Sequence, residues 1–65
     1  MGDNLTPEMK RMLQAAGCGF ERQGKGEHEI WYSPKTRRRF VVDNQLRSRH
    51  TANAVLKQAG LPKGF

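Results

Sequence analysis

His28 and the cations near it are the side chains of this 65-residue chain whose types and spacing could do chemistry. An imidazole has an unperturbed pKa of ~6.5, so it can take or give a proton near neutral pH. His28 follows a basic, glycine-punctuated turn, Gly24-Lys25-Gly26-Glu27, and opens the alternating run Glu29-Ile30-Trp31-Tyr32. Glycine admits positive φ and lets a large partner come close to the backbone. Cutting an RNA strand without a metal needs a base for the 2′-OH proton and an acid for the leaving oxygen. It also needs cations to offset the charge that grows on the phosphorane. His28 suits either proton step, and Arg22, Lys25, Arg37 or Arg38 could supply the cation. The residues alone leave open the plainer reading of a surface histidine on a hairpin. The flanking Glu27 and Glu29 should favour the imidazolium. Strand alternation sets them on the other face, which argues against a paired-carboxylate mechanism.

The second histidine, His50, sits among Arg47, Arg49 and Thr51 where a helix should begin. That setting suits holding a phosphate better than moving a proton. A zinc site built from Cys18, His28 and His50 would lack a fourth ligand and any metal-like spacing. Cys18 reads as a small apolar filler between two glycines. Arg37-Arg38-Arg39 heads a strand and reads either as a solvated hairpin end or, with Lys25 on the neighbouring turn, as one cationic edge along an RNA backbone. Tyr32 and Phe40 read as sheet packing, whereas Trp31, sharing a face with two glutamates, is left open to a partner.

Five elements must position these groups. Thr6-Pro7-Glu8 reads as a helix start with Thr6 as N-cap, after a short frayed terminus at residues 1–4. Leu5, Met9, Met12, Leu13 and Ala16 form one apolar stripe over a helix at 7–16, with Lys10, Arg11 and Gln14 facing water and Gly17 ending it. Phe20 to Gln23 alternates as a strand, Glu27 to Tyr32 forms a second, and Arg38 to Val42 a third. Ser33-Pro34-Lys35-Thr36 is a turn. Ser48 or Thr51 caps a second helix with Ala52, Val55, Leu56 and Ala59 inward. Gly60, Leu61 and Pro62 close that helix. The expected class is α+β, a single domain over residues 1–65. Its order is α-β-β-β-α, with a three-stranded antiparallel meander covered on one face by two helices.

Charge points to the partner. Residues 1–34 hold four Lys/Arg against five Asp/Glu, whereas residues 35–65 hold eight against Asp43 alone. A net charge of +6 so unevenly spread favours a polyanion. No apolar run approaches the ~18 residues of a membrane span, and no signal-peptide core is legible. One cysteine excludes an internal disulfide framework and fits a reducing compartment. A chain this short buries only roughly 60% of its unfolded surface, so a surface site for a large partner is expected rather than an enclosed pocket.

Gly26-Glu27-His28-Glu29-Ile30-Trp31 and Leu56-Lys57-Gln58-Ala59-Gly60-Leu61, with a weaker match at Gly17-Cys18-Gly19-Phe20 and Arg22-Gln23, resemble the HicA family of bacterial toxins. The resemblance implies a double-stranded-RNA-binding-like fold and metal-independent cleavage of messenger RNA in the cytoplasm, with no cofactor. It also implies growth arrest and neutralisation by a HicB-like antitoxin that covers the site. It places the catalytic histidine on His28; charge and placement, apart from the resemblance, make Arg22, Lys25, Arg37, Arg38, Arg47, Arg49 and His50 the expected RNA or phosphate contacts. Glu27 stands where the family usually has serine, and Glu29 where a second histidine is frequent. Two other classes remain open: a non-enzymatic double-stranded-RNA-binding module, and an interaction protein that docks an acidic partner.

Overall fold

A computed structural model describes residues 4–65. Its elements run α1 (Thr6–Ala15), β1 (Gly19–Gln23), β2 (His28–Ser33), β3 (Arg38–Asp43) and α2 (Arg49–Gln58). The strands form one antiparallel sheet in the order β1-β2-β3. The expected α-β-β-β-α architecture is therefore the observed one.

Both helices end alike, because each is followed by a glycine in the left-handed region. Gly17 lies at φ +89° and Gly60 at φ +80°. The next residue then folds back: the Cys18 amide donates to Leu13 O and the Leu61 amide to Leu56 O, each at 2.9 Å. These are Schellman closures, which satisfy orphan carbonyls and turn a hydrophobic residue inward. Cys18 accordingly lies in the core as a free thiol. Ser48 caps α2 by accepting from the Thr51 amide at 3.3 Å.

The start of α1 departs from expectation. Leu5 is the N-cap and offers no side-chain bond. Thr6 is instead a buried first helical residue, whose hydroxyl donates to Asp43 O at 2.6 Å and accepts from the Leu46 amide at 3.0 Å. It is a tertiary tie between α1 and the β3–α2 loop, and that demand outweighs its local capping preference. The capping oxygen comes from Asn4, whose Oδ1 accepts from the Thr6 amide at 3.1 Å. Asn4 also donates to Asn44 O, so it is anchored rather than frayed; Met1 to Asp3 lie outside the described residues.

The core gathers Met9 and Leu13 from α1, Trp31 from β2, Phe40 and Val42 from β3, Leu46, and Ala52, Val55, Leu56 and Ala59 around α2. Trp31 is 2% exposed, so the partner-facing reading left open for it is overturned in favour of packing. The face it shares with Glu29 is the one the helices cover. Glu29 is tolerated there because it accepts from Trp31 Nε1 at 2.9 Å and from Lys10 Nζ at 3.0 Å. Lys10, expected in water, is therefore half-buried; it also donates to Asn44 Oδ1 at 3.2 Å. Ser33 is buried and donates to Ala59 O at 2.8 Å, tying the end of β2 to the end of α2.

β1 does not keep the expected period of two. Phe20 opposes Trp31 while Arg22 opposes Ile30, so Glu21 is an extra, bulged residue. The bulge frees Glu21 to reach across the open face to Arg39 on β3, at 2.6 Å and 2.8 Å.

Candidate active site on the open face of the sheet

His28 is the first residue of β2 and is exposed. The turn before it is built around its backbone. The His28 amide donates to Lys25 O at 3.0 Å, and its carbonyl accepts from the Gly24 amide and from Gln23 Nε2, each at 2.9 Å. Gly26 takes φ +58° within that turn, which a glycine adopts without strain. The Glu27 carbonyl accepts from the Asn44 amide, fixing the turn to the β3–α2 loop. The backbone of His28 is thus held from two sides. Among the described residues its ring makes no hydrogen bond, so both ring nitrogens are available to a ligand.

Alternation along β2 puts Glu29, Trp31 and Ser33 under the helices, and His28, Ile30 and Tyr32 on the uncovered face. The register assigns their neighbours. Asp43 is directly opposite His28, Val41 opposite Ile30, and Arg39 opposite Tyr32, while Arg22 on β1 opposes Ile30. Directly opposed residues have Cβ atoms about 4.5–5.5 Å apart, and diagonal neighbours lie about 7–8 Å apart. Asp43 is therefore the carboxylate nearest His28 in the sheet, and Arg22 is a diagonal neighbour. Asp43 escaped notice in the sequence because it lies fifteen positions away and only strand pairing brings it close. One of its oxygens accepts from the Gln45 amide at 2.9 Å. Glu29, expected beside the histidine, points the other way. The bond from Trp31 and the ammonium of Lys10 hold the Glu29 carboxyl below its usual range.

The cations do not form the single edge that was expected. In a meander, successive turns lie at opposite ends of the sheet. Lys25 is at the His28 end, whereas Arg37 and Arg38 are at the Ser33 end. Five strand steps separate them, roughly 16 Å. Arg22 and Lys25 therefore accompany His28, with Arg22 only loosely paired to Glu21 at 3.7 Å. Arg47 lies in the loop after Asp43, and Arg49 and His50 open α2, in the helical layer. His50 lines a shallow groove of about 430 Å³ with Asn53, Ala54, Lys57, Leu61 and Lys63, away from His28. Arg37 takes φ +58° to close the β2–β3 turn, its amide donating to Ser33 O at 2.7 Å. All seven cationic candidates are exposed.

On the same open face, Arg39 lies over the Tyr32 ring, 5.7 Å from its centroid. Its guanidinium donates to Glu21 and holds that carboxyl below its ordinary value. Val41 remains 48% exposed. Among the described residues, no group of three His, Cys, Asp or Glu side chains is placed to hold a metal ion, and no helix is long and apolar enough to cross a membrane.

Neither a curated protein nor a solved structure matches the chain. A family model does: the HicA toxin of bacterial toxin–antitoxin systems matches residues 6–61, a span that holds all five elements and both sequence stretches that carried the resemblance. The chain belongs to the HicA toxin family.

Proposed function

We propose that this toxin is a metal-independent endoribonuclease of the cytoplasm that cuts messenger RNA with His28 as general acid/base. An antitoxin protein of the HicB kind would silence it by covering the open face. The observation that supports this best is the setting of His28. Its backbone is fixed by three hydrogen bonds, the residue is exposed with no ring hydrogen bond among the described residues, and Arg22 and Lys25 stand at the same end of the sheet.

In this reading the neutral imidazole takes the proton of a 2′-OH. That oxygen attacks the adjacent phosphorus, and the P–O5′ bond breaks. A 2′,3′-cyclic phosphate forms, and the departing 5′ oxygen collects a proton. Arg22 and Lys25 offset the charge on the phosphorane. Asp43 stands directly across from His28 in the sheet, at the place where the imidazole would act. Arg37 and Arg38 would meet backbone phosphates at the other end of the sheet, whereas Arg47, Arg49 and His50, in the β3–α2 loop and the helical layer, would do so only where the strand passes beyond the sheet edge.

Expression of the wild type should arrest growth and fragment messenger RNA, and His28→Ala should abolish both. A variant that still cuts RNA removes the mechanism. A second reading, a non-enzymatic double-stranded-RNA-binding module, draws support from residues 44–65, which carry Arg47, Arg49, Lys57 and Lys63 and no Asp or Glu. It requires duplex binding with a steep salt dependence that His28→Ala leaves unchanged, and no cleavage.

A further inference from the structure

The open face of the sheet has more to do than display His28. Its central rung pairs Ile30 with Val41, directly next to the His28–Asp43 rung, and Arg22 flanks Ile30 on β1. Val41 is 48% exposed although it is β-branched and sits within a strand. The next rung is Tyr32 with Arg39 above it, where Glu21 balances the Arg39 charge. Beyond each end of this strip stand cations that have no acidic partner within 4 Å among the described residues: Lys25 at the His28 end, and Arg37 in the turn at the other. Glu27 and Asp43 are the acids at the His28 end.

Resting on the ribonuclease reading, we infer that this face is a track for single-stranded RNA, with the base beside the cut phosphate seated on Ile30 and Val41. A flat apolar seat can grip only the face of a base. A duplex hides those faces inside its own stack and presents backbone and groove edges instead. Sequence-tolerant grip on a single strand combines side chains that meet the base faces, aromatic in the usual case and here the Ile30–Val41 pair beside Tyr32, with cations that follow the backbone. That is the order of groups along this face: cation, proton-transfer group, apolar seat, aromatic rung, cation. The strip between the two ends is roughly 16 Å long, enough for a few extended nucleotides. Tyr32 and Arg39 form the far wall of the seat. Cleavage by 2′-OH attack also requires a strand free to bring that oxygen in line with the leaving oxygen, which favours the same substrate form.

The test uses the full chain carrying His28→Ala, so that binding is read without cutting. Fluorescence anisotropy measures its affinity for an unstructured oligoribonucleotide and for a blunt RNA duplex. Adding Val41→Asp should weaken single-strand binding about tenfold, toward the low end of what removal of an aromatic base platform costs because this seat is aliphatic, and should change duplex binding far less. Val41→Ser should give a smaller loss of the same kind, and the fluorescence of buried Trp31 reports that each variant is folded. Equal single-strand affinity with and without Val41→Asp or Val41→Ser in folded protein overturns the track and returns the face to a protein partner. An equal loss on duplex also overturns it, because the effect is then one of charge alone. Cleavage by the wild type is scored separately. RNA cutting that depends on His28, beside single-strand binding indifferent to Val41, sinks this inference and leaves the nuclease standing. Binding that depends on Val41 without any cutting does the reverse.

Discussion

Glu29 is the residue whose replacement best tests how this small fold holds its register. Its Oε1 accepts from the indole of Trp31 and its Oε2 from Lys10, and its side chain is only 15% exposed. Glu29→Ala leaves the buried indole N–H without a partner, which costs about 1–3 kcal/mol. The lost ion pair adds up to about 1 kcal/mol, since Lys10 is 29% exposed and keeps Asn44. The expected total is about 3 kcal/mol, a large share of the roughly 3–10 kcal/mol available to a domain of this size. Glu29→Gln keeps an acceptor for the indole and loses only the charge, so it should cost about 1 kcal/mol. Urea unfolding followed by Trp31, the single tryptophan, separates the two. The pH dependence supplies a second check. The folded carboxyl lies below its ordinary value of 4.5. The stability it contributes is therefore fully present above that value and lost as pH falls from there through the folded pKa. The gap between wild type and Glu29→Gln should hold at neutral pH and shrink below pH ~4.5, and Glu21, whose carboxyl is also depressed, is common to both proteins. Equal midpoints for the Ala and Gln variants, or a gap constant down to pH 3, would refute the reasoning.

Ser33→Ala should lower stability by about 1–2 kcal/mol, because it strips the buried donor from Ala59 O; thermal unfolding measures it. Gly60→Ala should cost more than 1 kcal/mol, since φ is +80° and a Cβ there would lie 2.7 Å from Thr36 Cγ2. Arg37→Gly should leave stability unchanged or up to about 1 kcal/mol higher, as glycine relieves the left-handed backbone at φ +58°. Asp43→Asn keeps an acceptor for the Gln45 amide yet removes the charge facing His28, so the fold should survive while RNA cleavage slows. An unchanged rate would show that Asp43 does not act on His28.

Elements whose signals are local were legible in the sequence. The apolar stripe of α2, both glycine closures and the place of each strand follow from spacing and from residues that tolerate few backbone conformations. The two-sided character of β2 was also visible in its alternation. What could not be read were matters decided by partners distant in the chain. Thr6 has the composition of a cap, but Asp43 O and the Leu46 amide claim its hydroxyl. Two acids beside Trp31 suggested a wet face, yet Lys10 on α1 makes one of them compatible with burial. The basic run at 37–39 was expected to join Lys25 because both sit on turns, and only the meander shows those turns to be at opposite ends. Asp43 had no signal of its own; its interest arises wholly from facing His28.

β2 carries both halves of the molecule on one six-residue strand, and parity decides which is which. Trp31 and Ser33 complete the core, while His28, Ile30 and Tyr32 form the exposed face. A slip of one residue would exchange them, burying the imidazole and exposing the indole. Beside the turn bonds around His28, devices that oppose the slip stand on the core side. Glu29 is held by Lys10 and by Trp31, Ser33 is tied to Ala59, and Phe20 sets its ring edge-on to Trp31 at 6.5 Å. The bulge at Glu21 then lets β1 serve both faces, since Phe20 joins the Trp31 side while Glu21 and Arg22 attend the open one. In the proposed ribonuclease, a residue buried away from the open face can therefore govern activity by fixing the parity of the strand. For that reason loss of function in Glu29→Ala should recover with Glu29→Gln, whereas loss in His28→Ala should not recover with any substitution that merely restores stability.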